Sequence, residues 1–187
     1  MTEHVHVLGI AGSLRQKSYN KAALRAAAEM LPEGMTLDIY DIAPIPLFNA
    51  DVEAQGDPEP VRDFKARLAA ANALLIATPE YNYSMPGVLK NALDLASRPP
   101  ATTPLGEKPL AIIGASGGPW GTARAQLALR QSAVFMNMHP MNKPPLQIPH
   151  AEAKFNADLK LTDEITRQHL HAVLVALAAW ARRLNRI

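Results

Sequence analysis

Short apolar segments alternate along this chain with segments whose apolar residues recur every three or four positions. Short unbroken apolar runs are typical of strands buried on both faces, and the three-to-four spacing is typical of amphipathic helices. We count five strands, of which the clearest are His4–Ile10, Met35–Tyr40, Ala73–Thr78 and Pro109–Ala115. The predicted helices are Asn20–Met30, Val61–Ala71, Pro86–Ser97, Thr122–Met136 and Thr162–Leu184.

This alternation predicts the class of fold. Strands that alternate with helices are joined by right-handed crossovers and form a parallel sheet covered by helices. At 187 residues, the chain has the length of one domain with its own hydrophobic core. We therefore predict a single α/β domain over residues 1–187. The segment Pro144–Leu161 shows no clear period, and no structure is predicted for it.

Composition and charge exclude several classes of function. The net charge of +2 gives no reason to expect nucleic-acid binding, and without cysteine no disulfide or thiolate metal site can form. The six histidines show no spacing typical of a metal site. No apolar run approaches the length of a membrane span, and Met1–His6 lacks the features of a signal peptide. We therefore expect a cytoplasmic protein that binds no metal, nucleic acid or membrane.

The most informative polar stretch is Gly9–Asn20, at the turn from the first predicted strand to the first predicted helix. Free backbone N–H groups at a helix start carry partial positive charge and stabilise an anion there. Ser13, Ser18 and Asn20 can add neutral donors, and Arg15 adds a guanidinium suited to phosphate oxygens. The stretch therefore predicts a bound phosphate group beside the first helix.

Two further polar loops follow predicted strands at the same edge of the sheet. Ligands bind at this edge, where the carboxyl ends of parallel strands lie. The loop Pro79–Met85 contains Tyr81 and Tyr83, whose rings can pack on a flat ligand, and Asn82, which can bond its polar edge. The loop Ser116–Gly121 is rich in glycine, which allows close approach of the backbone. A phosphate at one loop and a planar heterocycle between the other two describe a mononucleotide-like cofactor, and FMN fits that description.

These motifs resemble the NAD(P)H-dependent FMN reductase family, the flavodoxin-like group that includes bacterial quinone, chromate and azo reductases. The resemblance extends over about residues 5–144 and rests on Gly12–Arg15 with Ser18 and Asn20, on Pro79–Ser84, and on Pro86–Ala92. Later matches are 114–118, Arg124 and Met141–Pro144. Two positions depart from the usual pattern of the family: Pro145 stands where glutamate is common, and Leu127 stands where an aromatic residue is often found.

The resemblance implies a flavodoxin-like three-layer fold, with a five-stranded parallel sheet of order 2-1-3-4-5 and helices on both faces. It also implies non-covalent FMN, NAD(P)H as co-substrate, and assembly as a homodimer or homotetramer. The expected electron acceptors are quinones, free flavins, azo compounds or metal oxyanions, reduced in a ping-pong cycle. The implied cofactor-binding residues are Ser13, Arg15, Ser18 and Asn20 around the phosphate, and Glu80, Tyr81, Asn82, Tyr83, Ser116 and Gly117 around the ring. Tyr19, Pro79 and Gly118 are also expected to bind the cofactor.

Some alternatives remain open at this point. Flavin would carry the chemistry, so no catalytic side chain is predicted. The main alternative function is a flavodoxin-type electron carrier that binds FMN without oxidising NAD(P)H, although such carriers tend to be strongly acidic and this chain is not. Glu80 can instead cap a helix or pair with a cation, and Trp120 can support its loop or an interface. Arg124 can lie in an oligomer contact or face solvent.

Overall fold

A parallel sheet forms the centre of the protein, as seen in a computed structural model that describes residues 4–185. Its order is β2-β1-β3-β4-β5, and β6 also pairs with β4. Because β5 pairs with the start of β4 and β6 with its end, two short segments share the fifth strand position. The strands are β1 (Val5–Ala11), β2 (Met35–Tyr40), β3 (Ala73–Ala77), β4 (Pro109–Ala115), β5 (His139–Pro140) and β6 (Leu146–Ile148).

Helices cover both faces of this sheet and bury two apolar clusters against it. Alternate residues of β1 enter different clusters, since successive side chains of a strand point to opposite faces. Val5 and Val7 pack with one cluster, and Leu8 and Ile10 pack with the other. The first cluster includes residues of α1 (Tyr19–Ala28) and α6 (Glu164–Asn185), and the second includes residues of α3 (Glu59–Ala70), α4 (Gly87–Ala96) and α5 (Ala123–Phe135). None of the helices within residues 4–185 is long and apolar enough to cross a membrane.

The expected fold class and strand order are confirmed, but two elements were missed. The count of five strands is low by one, because β6 has only three residues and so short a segment shows no hydrophobic period. A one-turn helix, α2 (Ala50–Glu53), lies between β2 and α3, where the sequence predicts no helix. Asn49 caps α2, accepting a hydrogen bond from the Asp51 amide at 2.8 Å.

Backbone hydrogen bonds beyond the paired strands bring the site loops together. The amide of Gly12, the first residue after β1, donates to the Ala77 carbonyl of β3 at 2.9 Å. The amide of Thr78, the first residue after β3, donates to the Ile113 carbonyl of β4 at 3.0 Å. Each loop therefore leaves the sheet while still bonded to the neighbouring strand, so the loops after β1, β3 and β4 lie side by side.

Candidate active site

Two adjacent cavities open at this edge of the sheet. The first has a volume of about 270 Å³ and lies between the loops after β1, β3 and β4. The second, of about 280 Å³, reaches the N-terminus of α5, and Glu80 and Ser116 border both cavities. Every cofactor-binding residue predicted from the sequence borders one of the two. Together they form a cleft with two chemically different ends.

Ser18 organises the start of α1 at one end of the cleft. It is the N-cap residue, and its Oγ accepts hydrogen bonds from the amides of Asn20 and Lys21 at 3.2 and 3.3 Å. The hydroxyl proton of Ser18 is then left to donate to a ligand. Ser18 is buried and borders the first cavity, so this donor lies inside the cleft.

The loop before Ser18 presents further donors. Within residues 4–185, the backbone N–H groups of residues 13, 14, 16 and 17 donate no hydrogen bond to the chain. In the same part of the chain, the Arg15 amide bonds only the nearby Ser13 Oγ, at 3.4 Å. The Arg15 side chain borders the first cavity and is exposed. Free amides before a helix, beside a guanidinium, form a concavity suited to an anion.

Asn20 connects the start of α1 to the end of β4. Its Nδ2 donates to the Ala115 carbonyl and its Oδ1 accepts from the Ala115 amide, both at 2.9 Å. The residue is 2% exposed. The sequence did not suggest this structural role, which leaves only one amide proton of the side chain for a ligand.

A tight turn at Tyr81–Ser84 shapes the loop after β3. Tyr81 and Ser84 exchange two backbone hydrogen bonds of 3.0 Å. Asn82 and Tyr83, the central residues, have φ of 48° and 66°, as in a type I′ turn, whose second position usually holds glycine. Tyr83 takes this unusual conformation with its side chain 71% exposed at the second cavity. The Tyr81 ring borders the first cavity.

The Glu80 carboxylate joins this loop to the N-terminus of α5. Its Oε2 accepts from the amides of Arg124 and Ala125 at 2.9 and 3.2 Å, and its Oε1 accepts from Arg124 Nε at 2.5 Å. The N-cap residue of α5, Thr122, has φ of 71° and makes no side-chain capping bond. Glu80 therefore caps α5 from another loop. Both alternatives for Glu80, helix capping and pairing with a cation, are confirmed.

Arg124 lies at the second cavity between two aromatic rings. Its guanidinium carbon is 3.8 Å from the centre of the Tyr83 ring and 5.7 Å from that of Trp120. Arg124 faces solvent only in part: its side chain contacts Glu80 and both rings within the chain and is 36% exposed. Trp120 is 63% exposed and borders the same cavity.

The loop after β4 is held by its own hydrogen bonds. The Ser116 amide donates to the Ile148 carbonyl of β6, and the Gly118 amide donates to Ser116 Oγ, both at 3.0 Å. Within residues 4–185 the Gly117 amide donates to no group of the chain. A Cβ at Gly117 would lie 3.3 Å from Glu152 Oε2. Gly117 borders the first cavity, so its amide is a backbone donor of this loop that is open to a ligand there.

Sequence reasoning did not include four residues that border the cleft. No motif indicates that the first turn of α5 lies beside the loop after β3, because that contact depends on the crossover of the chain. Two signals pointed to Arg124: its match to the family pattern, and the Glu80 carboxylate, which could be expected to meet a cation. The missed residues are Ala115, Trp120, Thr122 and Arg124.

Comparison with known proteins decides the family. The model of the NADPH-dependent FMN reductase family matches residues 5–153, which include all three loops of the cleft. The chain belongs to this family. The NADPH-dependent FMN reductase family was the one indicated by the motifs, so that resemblance is confirmed, and with it the assignment of the protein to the NAD(P)H-dependent oxidoreductases.

Similar proteins match this family member along its whole length. It is 53% identical to an NAD(P)H-dependent FMN reductase of Pseudomonas aeruginosa, covering 99% of this chain and 100% of that protein. It is 44% identical to a 2-hydroxy-1,4-benzoquinone reductase of a Burkholderia species, covering 92% of this chain and 94% of the other. A solved structure of a flavoenzyme NAD(P)H:(acceptor) oxidoreductase from Paracoccus denitrificans superimposes with a TM-score of 0.88 at 32% identity, covering 96% of this chain and 98% of that one.

Proposed function

We propose that the protein binds FMN non-covalently in this cleft and transfers electrons from NAD(P)H to small acceptors of the quinone type. The observation that carries the proposal is the first cavity, where free N–H donors and Arg15 of the loop after β1 face Tyr81 and Gly117 of the other two loops. The activities named for the similar proteins of Pseudomonas aeruginosa and the Burkholderia species support the same reaction.

The loop after β1 fits the phosphate of FMN. The free amides of residues 13, 14, 16 and 17 and the hydroxyl proton of Ser18 supply neutral donors. Arg15 supplies a charged donor that can bond two phosphate oxygens at once. Of residues 4–185, the one with a carboxylate that borders the first cavity is Glu80, and this carboxylate is bonded to α5. The phosphate would therefore meet only donors.

The other two loops fit the isoalloxazine ring. FMN, when bound, supplies the two-electron chemistry, accepting a hydride from NAD(P)H and passing it on to the acceptor. The protein's part is to hold the ring and to stabilise negative charge on it with fixed donors. Because the Ser116 and Gly118 amides are already bonded within the chain, we assign this part to the amides of Asn82 and Gly117. The Tyr81 ring provides an apolar surface for packing.

An anaerobic titration tests the proposed function. The purified protein, reconstituted with FMN, is expected to show the absorbance of bound oxidised flavin and to lose it on addition of NADPH. It should then recover that absorbance when a quinone is added. A protein that takes up no FMN would contradict the cofactor assignment, and a flavin that NADPH does not reduce would favour the electron-carrier alternative.

Steady-state kinetics test the order of the reaction. NAD(P)H and the acceptor are proposed to use the same open face of the ring in turn, which predicts parallel lines in double-reciprocal plots of rate against NADPH at several quinone concentrations. Intersecting lines would show that both substrates bind together.

We expect Arg15→Ala to weaken FMN binding by about 1.5–3 kcal/mol, because a charge-assisted contact to phosphate is lost. Fluorescence titration of the apoprotein with FMN measures this change. Arg25→Ala is the matched control, since Arg25 is an exposed cation on α1 that does not border the cleft. Equal affinities for wild type and Arg15→Ala would remove Arg15 from the phosphate site.

Two further expectations remain proposals. A homodimer or homotetramer is supported by apolar side chains exposed on α5, namely Leu127, Val134 and Phe135, the last 93% exposed. Light scattering of the purified protein would measure this assembly.

A cytoplasmic location is supported by the use of NAD(P)H that we propose, and cell fractionation would test it.

A further inference from the structure

Arg124 has no part in the flavin contacts proposed above, yet it borders the second cavity. Within residues 4–185, its side chain has one hydrogen-bond acceptor, the Glu80 carboxylate, and it reaches that acceptor through Nε. The two terminal nitrogens of the guanidinium, which carry four of its five N–H donors, are therefore open to a ligand. The side chain is 36% exposed, whereas that of Glu80 is 9% exposed.

The direction of this guanidinium is fixed before any ligand arrives. Glu80 holds Nε at 2.5 Å, and the Tyr83 ring lies against the guanidinium with 3.8 Å between its carbon and the ring centre. Trp120 flanks it at 5.7 Å. A planar guanidinium fixed by stacking and by a carboxylate loses little conformational entropy when it binds a further oxygen. Arg124 is thus preorganised for a ligand with oxygen acceptors.

Glu80 offsets the positive charge that Arg124 presents to the cavity only in part. Its Oε2 is bonded to the amides of Arg124 and Ala125 at the N-terminus of α5, which carries partial positive charge of its own. One buried carboxylate is therefore shared between the guanidinium and the helix end. Among the residues that border the second cavity, Glu80 and Arg124 are the charged ones, so the exposed group that a ligand meets is the cation.

We propose that Arg124 binds the negative charge of the electron acceptor, so that the protein prefers quinones carrying an anionic substituent, such as an ionised hydroxyl or a sulfonate. The inference rests on the proposed function, since it assumes that the acceptor is reduced in this cleft. The exposed rings of Tyr83 and Trp120 offer flat apolar surfaces for the quinone ring, and the guanidinium meets its charged substituent. A hydrogen bond to an ionised oxygen is stronger than one to a neutral oxygen, which gives the preference for charge.

The test compares Arg124→Gln with wild type on two acceptors of similar shape and different charge. At saturating NADPH, kcat/KM is measured for 1,4-naphthoquinone-2-sulfonate and for the neutral 2-methyl-1,4-naphthoquinone. We expect the value for the sulfonate to fall about tenfold to a hundredfold, as for loss of a charge-assisted contact. The value for the neutral quinone should change less than about threefold. Arg124→Lys keeps the charge but not the planar fork, so its kcat/KM for the sulfonate should lie between those of wild type and Arg124→Gln.

Controls separate this inference from the proposed function. Arg67→Gln removes an exposed cation on α3 that pairs with Asp63 and should leave both values unchanged. Flavin content and the rate of anaerobic reduction by NADPH are measured for every protein. If wild type binds no flavin or is not reduced by NADPH, the proposed function fails, whatever Arg124 does.

Three results would overturn the role of Arg124 while leaving the proposed function intact. Equal losses on the sulfonate and the neutral quinone would show that the arginine merely supports the loop. A matching loss in the rate of reduction by NADPH would assign the guanidinium to the diphosphate of that substrate. Unchanged values for both acceptors would show that the charge is not used.

Discussion

Gly114→Ala is expected to destabilise the folded protein by at least about 3 kcal/mol, the largest effect of the substitutions considered. Gly114 lies near the end of β4, where a Cβ would come 2.5 Å from the Thr78 carbonyl oxygen and 2.9 Å from Thr122 Cβ, and would overlap Thr122 Oγ1. Neither neighbour can move freely, because Thr78 is bonded to β4 through its amide and Thr122 is 1% exposed. Urea unfolding followed by circular dichroism measures the loss.

Gly106→Ala is the matched control for Gly114→Ala. A Cβ at Gly106 would lie no closer than 3.9 Å to its nearest neighbours, both atoms of Thr103. We expect its free energy of unfolding to stay within about 0.5 kcal/mol of wild type. If Gly114→Ala were as stable as Gly106→Ala, the close approach of β4 to Thr122 would not exist in solution.

Glu80→Ala is expected to lower the free energy of unfolding by about 2–4 kcal/mol, because it removes a carboxylate that is 9% exposed and accepts three hydrogen bonds. Two of those bonds cap α5 and the third holds Arg124. Without the carboxylate the first turn of α5 has no side-chain cap, since Thr122 does not supply one. The loop after β3 also loses its connection to α5, so FMN affinity should fall together with stability.

Two further variants show whether loss of the carboxylate itself causes the expected loss of stability in Glu80→Ala. Glu80→Gln keeps an oxygen acceptor of similar size and should recover a large part of the stability lost in Glu80→Ala. Glu33→Ala removes an exposed glutamate from the turn before β2 and should change stability by less than about 0.5 kcal/mol. Chemical denaturation combined with FMN titration measures both properties. Wild-type stability of Glu80→Ala would contradict a capping role for Glu80.

The sequence predicted the central elements because they have strong periodic patterns. β3 and β4 are unbroken apolar runs, and the long helices show the amphipathic spacing. The sequence did not predict β6, and the reason is physical. Its three residues are held by pairing with β4, a contact between positions about thirty residues apart that leaves no local pattern.

In the candidate site, too, the sequence predicts residues with a local pattern and does not predict those placed by long-range contacts. Residues that follow directly from a strand end, such as Ser13 and Ser116, could be predicted because the carboxyl edge of a parallel sheet is a rule of the fold. Arg124 could not be placed, because it reaches the cleft through the first turn of the helix after β4 and through the Glu80 contact. Asn20 was predicted at the site, but its bonds to Ala115 depend on how closely α1 approaches β4.

The exposure of the loop after β1 has a consequence for how the protein acquires its cofactor. Residues 14–17 face solvent, while Ser13 and Ser18 on either side are buried. The donors of residues 14–17 are therefore already in place in the folded chain and are reached from outside. A phosphate can arrive at and leave this loop without any part of the core opening. On the proposed function, occupancy would follow the concentration of free FMN, and dilution alone would release it.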